Sequence, residues 1–174
     1  MRRVGIGLFL GVALALARPA AAQVTFGSPG DPPRYALGGG AFDVLPEKKR
    51  QHSGVAGLAL AEYRFGDVWW ILSPFIGAMG TGKGAFYGYF GVGFDINFAG
   101  NFVLTPSAAA GYFESGDGIS LGSWWEFRTG AELALRLPAD RRLGVGFYHM
   151  SNAGLGKENP GAELVTVIMT IPFR

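Results

Sequence analysis

From Ser123 to Leu137 the chain alternates with period two. One row is Ser123, Trp125, Phe127, Thr129, Ala131, Leu133, Leu135 and Leu137; the other is Trp124, Glu126, Arg128, Gly130, Glu132, Ala134 and Arg136. Successive side chains of a β-strand point to opposite faces, so one face is apolar and the other carries charges of both signs. Residues 85–98 repeat the pattern, with Phe86, Phe90, Val92, Phe94, Ile96 and Phe98 in one row and Tyr87, Tyr89, Asp95 and Asn97 in the other. Helix competes poorly, because glycine recurs inside these runs and costs about 1 kcal/mol at each helical position. Two environments fit a strand with one apolar and one charged face: a sandwich with one wet side, or a barrel with lipid outside and a polar lumen. Both runs far exceed the roughly 5–6 residues of a globular strand, and that length favours the barrel.

The rest of the chain agrees. Eight strand-like stretches are expected at 35–45, 54–65, 69–79, 85–98, 102–113, 121–137, 141–151 and 162–173. They are separated by turn-forming clusters rich in Gly, Pro, Asn and Asp, and preceded by a Pro/Gly-rich segment, 23–34, read as loose. The expected fold is all-β: an eight-stranded antiparallel transmembrane β-barrel of the outer-membrane type. So small a barrel is too narrow for a channel, so Glu126, Arg128, Glu132 and Arg136 are expected to fill its lumen. At the N-terminus, Arg2 and Arg3 precede an apolar run from Val4 to Ala17, and Ala20 and Ala22 form a small-residue cleavage pattern. That reads as a secretory signal peptide over 1–22, leaving 23–174 as a single barrel domain. The segment holds three arginines and no acid, so the remainder carries 12 basic and 13 acidic residues, and no basic stripe remains for nucleic acid. With no cysteine, disulfide scaffolds, thiolate metal sites and a cysteine nucleophile are excluded.

One constellation can carry chemistry. His149 and Ser151 lie two apart in RLGVGFYHMS, in the outward row of Leu143, Val145 and Phe147, and Glu163 heads the outward row of Val165, Val167, Met169 and Ile171. A hairpin symmetric about Gly156 sets His149 opposite Glu163, about 5 Å apart at Cβ. A hydroxyl, an imidazole and a carboxylate then share one surface, the order an activated serine needs. Taken singly, each is more often a solvated rim residue. Together they occupy a lipid-facing parity where polar groups are costly and tend to be functional. Strand direction also locates them: if the chain starts in the periplasm, the seventh strand climbs outward and delivers the trio toward the outer leaflet.

The string His149-Met150-Ser151-Asn152-Ala153, followed by Asn159-Pro160-Gly161 and Glu163, resembles the lipid A 3-O-deacylase family, the PagL-type outer-membrane esterases. The resemblance implies an outer-membrane serine esterase that removes the 3-O-linked acyl chain of lipid A. By that likeness Ser151 is nucleophile, His149 general base and Glu163 its orienter. Asn152 and the Gly154 N–H form the oxyanion hole, and Asn159 supports the loop. Phe127, Thr129 and Phe147 belong to a substrate groove, although Thr129 stands where the family pattern has a small apolar residue. No metal or cofactor is implied. The partners are lipopolysaccharide and outer-membrane lipids, with homodimerisation left open and nucleic acid excluded.

Other features read more plainly. His52 sits in a charged turn and is expected to be solvated, the strings at 38–40 and 80–84 lack the context of a phosphate loop, and Asp117 has no ligand set around it. The Trp pairs 69–70 and 124–125 read as interfacial anchors. Two other function classes fit the same barrel: a non-enzymatic membrane protein, and an acyltransferase that also uses Ser and His.

Overall fold

The computed structural model describes residues 23–45, 54–66 and 68–173; the expected signal peptide, His52 and Arg174 lie outside the described residues. Eight antiparallel strands close into a barrel. After a two-residue strand β1 (Thr25–Phe26) they are β2 (Arg34–Phe42), β3 (Ala56–Arg64), β4 (Leu72–Thr81), β5 (Phe86–Phe94) continued by β6 (Ile96–Phe98), β7 (Phe102–Glu114), β8 (Trp125–Arg136), β9 (Arg142–Ser151) and β10 (Ala162–Pro172). Each pairs with the next in sequence, and β10 pairs with β2 to close the ring, so no barrel strand has a free edge. The stretch 85–98 is one run broken at Asp95, with β5 and β6 in the same register against β7. Among the described residues the only helical turn is a short 3₁₀ segment, Pro138–Asp140, in the β8–β9 connection.

Alternation sorts the side chains as the sequence reading requires. Phe86, Phe90, Leu133, Leu135, Val145, Phe147 and Val167 stand exposed on the outer wall, while Glu126, Arg128 and Glu132 are buried inside. An apolar exterior of this kind is the lipid-facing surface of an outer-membrane barrel. The lumen has two layers. Toward the end that carries the β9–β10 loop it is an apolar plug of Phe42, Met79, Tyr87, Phe113, Leu121, Met150 and Leu164, with Phe42 and Phe113 stacked at 6.2 Å. Below it runs a charged ladder. Arg128 pairs with Glu62 at 2.8 Å, and Arg64 bridges Glu62 at 2.8 Å and Glu132 at 2.7 Å. The Arg128 guanidinium also lies 4.3 Å from the centre of the Tyr89 ring and 4.7 Å from that of Tyr148.

Three expectations change. The segment 23–34 is not loose: β1 (Thr25–Phe26) pairs with β6, and Asp31 reaches Arg34 and Arg142 at the opposite mouth. Buried arginines at that mouth need acids, and the segment supplies one. Arg136 is half-buried at the same rim, donating to Asn97 Oδ1 at 2.6 Å, rather than deep in the lumen. Two strands also start later than read. Trp69–Ile71 form a tight turn, with Trp70 at φ 60°, and residues 121–124 belong to the β7–β8 loop.

Candidate active site

β9 and β10 leave the barrel through the loop 152–161, and the site lies where they do. His149 and Glu163 are direct cross-strand partners on the outer wall. His149 Nδ1 stands 3.2 Å from Glu163 Oε1, with the imidazole about half exposed. On its other side His149 faces Thr129, and Ser151 faces Phe127. Phe147 continues the row beneath His149 and is exposed on the wall. His149, Ser151, Glu163, Phe127, Thr129 and Phe147 thus form one contiguous outer patch. Among the described residues the His149–Glu163 hydrogen bond is formed and none joins Ser151 to His149, although the two project side by side from β9. In a substrate-free site such contacts are often long and tighten on binding.

Glycine shapes the imidazole's seat. Gly161 has φ +67°, and a Cβ built on it would lie 2.8 Å from His149 Cε1. Only glycine lets the chain turn back into β10 against the ring. With Nδ1 directed at Glu163, Nε2 is the nitrogen left for a proton from a neighbouring hydroxyl.

Asn152, next in the chain after Ser151, is wholly buried and organises the loop. Its Nδ2 donates to Leu121 O at 2.8 Å and Glu158 O at 2.6 Å. Its backbone N–H donates to Asn159 Oδ1 at 3.1 Å, and its own Oδ1 accepts the Gly154 N–H at 2.9 Å. Both groups that the resemblance implies for an oxyanion are therefore engaged within the loop in this state. Leu121 and Glu158 went unnoticed in the sequence, because both act through backbone carbonyls that any residue carries. Nearby, Glu126 is buried with neither carboxylate oxygen hydrogen-bonded. Among the described residues no cluster of His, Asp or Glu could hold a metal ion.

A family model for lipid A 3-O-deacylase (PagL) matches residues 38–172, which spans every barrel strand in whole or part. The chain belongs to the lipid A 3-O-deacylase family. It is thereby an ester hydrolase of the outer membrane, from a family whose substrate is lipid A. Among solved structures, a crystal structure of the outer-membrane enzyme PagL superposes with a TM-score of 0.63 at 23% identity, covering 80% of this chain and 99% of that one. That likeness carries the fold of a lipid A 3-O-deacylase. A comparison with curated proteins finds no match.

Proposed function

We propose that this deacylase cleaves the 3-O-acyl ester of lipid A through Ser151, His149 and Glu163 on its lipid-facing wall. The observation that carries the reading is the 3.2 Å contact of His149 Nδ1 with Glu163, two residues from a serine on an otherwise apolar surface. Glu163 accepts a hydrogen bond from the Nδ1–H and fixes the tautomer that leaves Nε2 basic. Nε2 takes the Ser151 proton as Oγ attacks the ester carbonyl. The tetrahedral adduct collapses by expelling the sugar 3-oxygen, which receives the proton from His149. Water, deprotonated by the same Nε2, then releases the fatty acid from Ser151. Gly154 N–H is the donor offered to the developing oxyanion, exchanging its bond to Asn152 Oδ1 for one to the substrate, while Asn152, held through Nδ2 by the Leu121 and Glu158 carbonyls, stands behind it as the loop's frame. Asn159 keeps that frame closed. Phe127, Thr129 and Phe147 line the way of the acyl chain.

The same reading sets the molecule in the membrane. Residues 1–22 act as an export signal removed after Ala22, the barrel starts in the periplasm, and the 152–161 loop faces outward. The ester then lies just beneath the lipid A sugars, beside the patch, and need not leave the leaflet. Purified protein in detergent, given lipopolysaccharide and followed by mass spectrometry, is expected to remove one hydroxyacyl chain. A gain of mass would mean acyl transfer, and no change a non-enzymatic barrel. On intact cells, an impermeant thiol reagent is expected to label Leu155→Cys but not Ala139→Cys. The reverse pattern would overturn the orientation.

A further inference from the structure

Glu126 stands apart from the charged ladder. It is the first lumen-facing residue of β8, it is wholly buried, and among the described residues neither carboxyl oxygen is hydrogen-bonded. Its neighbours leave it alone. On β7 its direct partner is Gly111, which has no side chain. On β5 the Tyr87 hydroxyl donates to the Glu126 backbone carbonyl at 3.0 Å, not to the carboxyl. Arg128, next along the same row, is engaged by Glu62 and by the rings of Tyr89 and Tyr148. An unpaired carboxylate beside an apolar plug is far costlier than its acid. Glu126 is therefore held as the neutral acid, and its O–H is a donor not yet used.

Beside it on β9 stands the frame of the active-site loop. The two strands pair as far as Phe127 and Ser151. One step beyond that pair the register sets Glu126 next to Asn152, both inward and both wholly buried, with Cβ atoms about 5 Å apart. A second link runs through the β7–β8 loop. Leu121 O accepts from Asn152 Nδ2 at 2.8 Å, and from the same loop the Ser123 N–H approaches the Glu126 carboxyl. Asn152 Nδ2 is committed to the Leu121 and Glu158 carbonyls, so the amide is held in place. Its Oδ1 accepts the Gly154 N–H at 2.9 Å. When that N–H turns to an oxyanion, a buried carbonyl oxygen loses its donor at the moment of reaction, and the barrier rises unless another donor replaces it.

We propose that Glu126 is a positioning residue for this reaction: its acid O–H takes over Asn152 Oδ1 as the Gly154 N–H turns to the oxyanion. The proposal rests on the esterase reading above, because it needs Gly154 to bind an oxyanion. No proton is transferred. One hydrogen bond replaces another, and Asn152 stays fixed between its two carbonyls. The arrangement also accounts for an acid where an apolar side chain would pack at less cost: the group is unsatisfied in the resting enzyme and satisfied in the transition state.

Purified full-length protein in detergent, with lipopolysaccharide as substrate and released fatty acid as readout, distinguishes a donor from a filler. Glu126→Leu is expected to lower kcat about tenfold, with KM unchanged and an unfolding midpoint equal to or above that of the wild type. Glu126→Gln, whose amide still donates, is expected to recover most of that loss. In an Asn152→Ala background, where no Oδ1 remains to be satisfied, Glu126→Leu is expected to cost nothing further. The infrared spectrum of the wild type in heavy water at neutral pH is expected to show the C=O band of a protonated carboxyl, and that of Glu126→Gln to lack it. Any of four results overturns the proposal: no such band in the wild type, equal kcat in the Leu and Gln variants, an undiminished cost in the Asn152→Ala background, or a loss of kcat in Glu126→Leu that only accompanies unfolding. In each of these the wild type still cleaves and the esterase reading stands. A wild type that releases no fatty acid ends both.

Discussion

The lumen and the outer wall each hold acids beside basic groups, and they use them in opposite ways. Inside, Glu62, Arg64, Arg128 and Glu132 are buried and paired on several sides, with Arg128 also packed between aromatic rings. Each of these four charges is opposed by at least one other, and together they fill the lumen. Outside, His149 and Glu163 share one hydrogen bond at a half-exposed edge. One ring nitrogen is held and the other is left over. A fully satisfied network gives rigidity, whereas chemistry needs a group with one valence fixed and one unspent.

Substitutions on the outer wall are expected to affect turnover and those in the lumen stability. The largest effect is expected from Ser151→Ala or His149→Ala, about 10⁴-fold or more in kcat with unfolding unchanged. Glu163→Gln is expected to cost one to two decades less, because the acid orients the base without exchanging protons with substrate. Equal activity of His149→Ala and wild type would remove the general base. Next, Arg128→Ala is expected to destabilise the barrel by about 3–5 kcal/mol by leaving Glu62 buried and under-compensated. Denaturant unfolding in detergent measures this, and the fraction still folded is expected to retain near-normal kcat. A variant with unaltered stability would show that the ladder is not the frame. Asn152→Ala removes the hydrogen bonds that tie the loop to Leu121 and Glu158, and is expected to lower kcat about 10²-fold through misplacement of Ser151 and Gly154. The smallest effect is expected from Gly161→Ala, where a Cβ meets the His149 ring at a positive φ, at a local strain of about 1–3 kcal/mol. A reduced kcat with an unchanged unfolding midpoint would put that strain at the imidazole rather than in the barrel.

The sequence made this division legible unevenly. Alternation survives small errors of boundary, so the parity of Phe127, Arg128 and their neighbours could be read although β8 starts four residues later than expected. The His149–Glu163 pairing was also within reach, since the two strands are joined by a single loop and one register sets both residues on the same face. What connects distant segments was not. Asp31 meets Arg142 and Arg34 across the opposite mouth, and Asn152 is held by carbonyls of Leu121 and Glu158. Neither a carbonyl nor a long-range ion pair leaves a periodic mark.

The central claim is that Ser151 on the outer wall is a nucleophile activated by His149. A long-chain organophosphonate ester that traps activated serines, followed by peptide mapping of the purified barrel, tests this most directly. The expected result is a single adduct on Ser151 in the wild type and none in His149→Ala. An adduct on another residue, or equal labelling of both proteins, would contradict it.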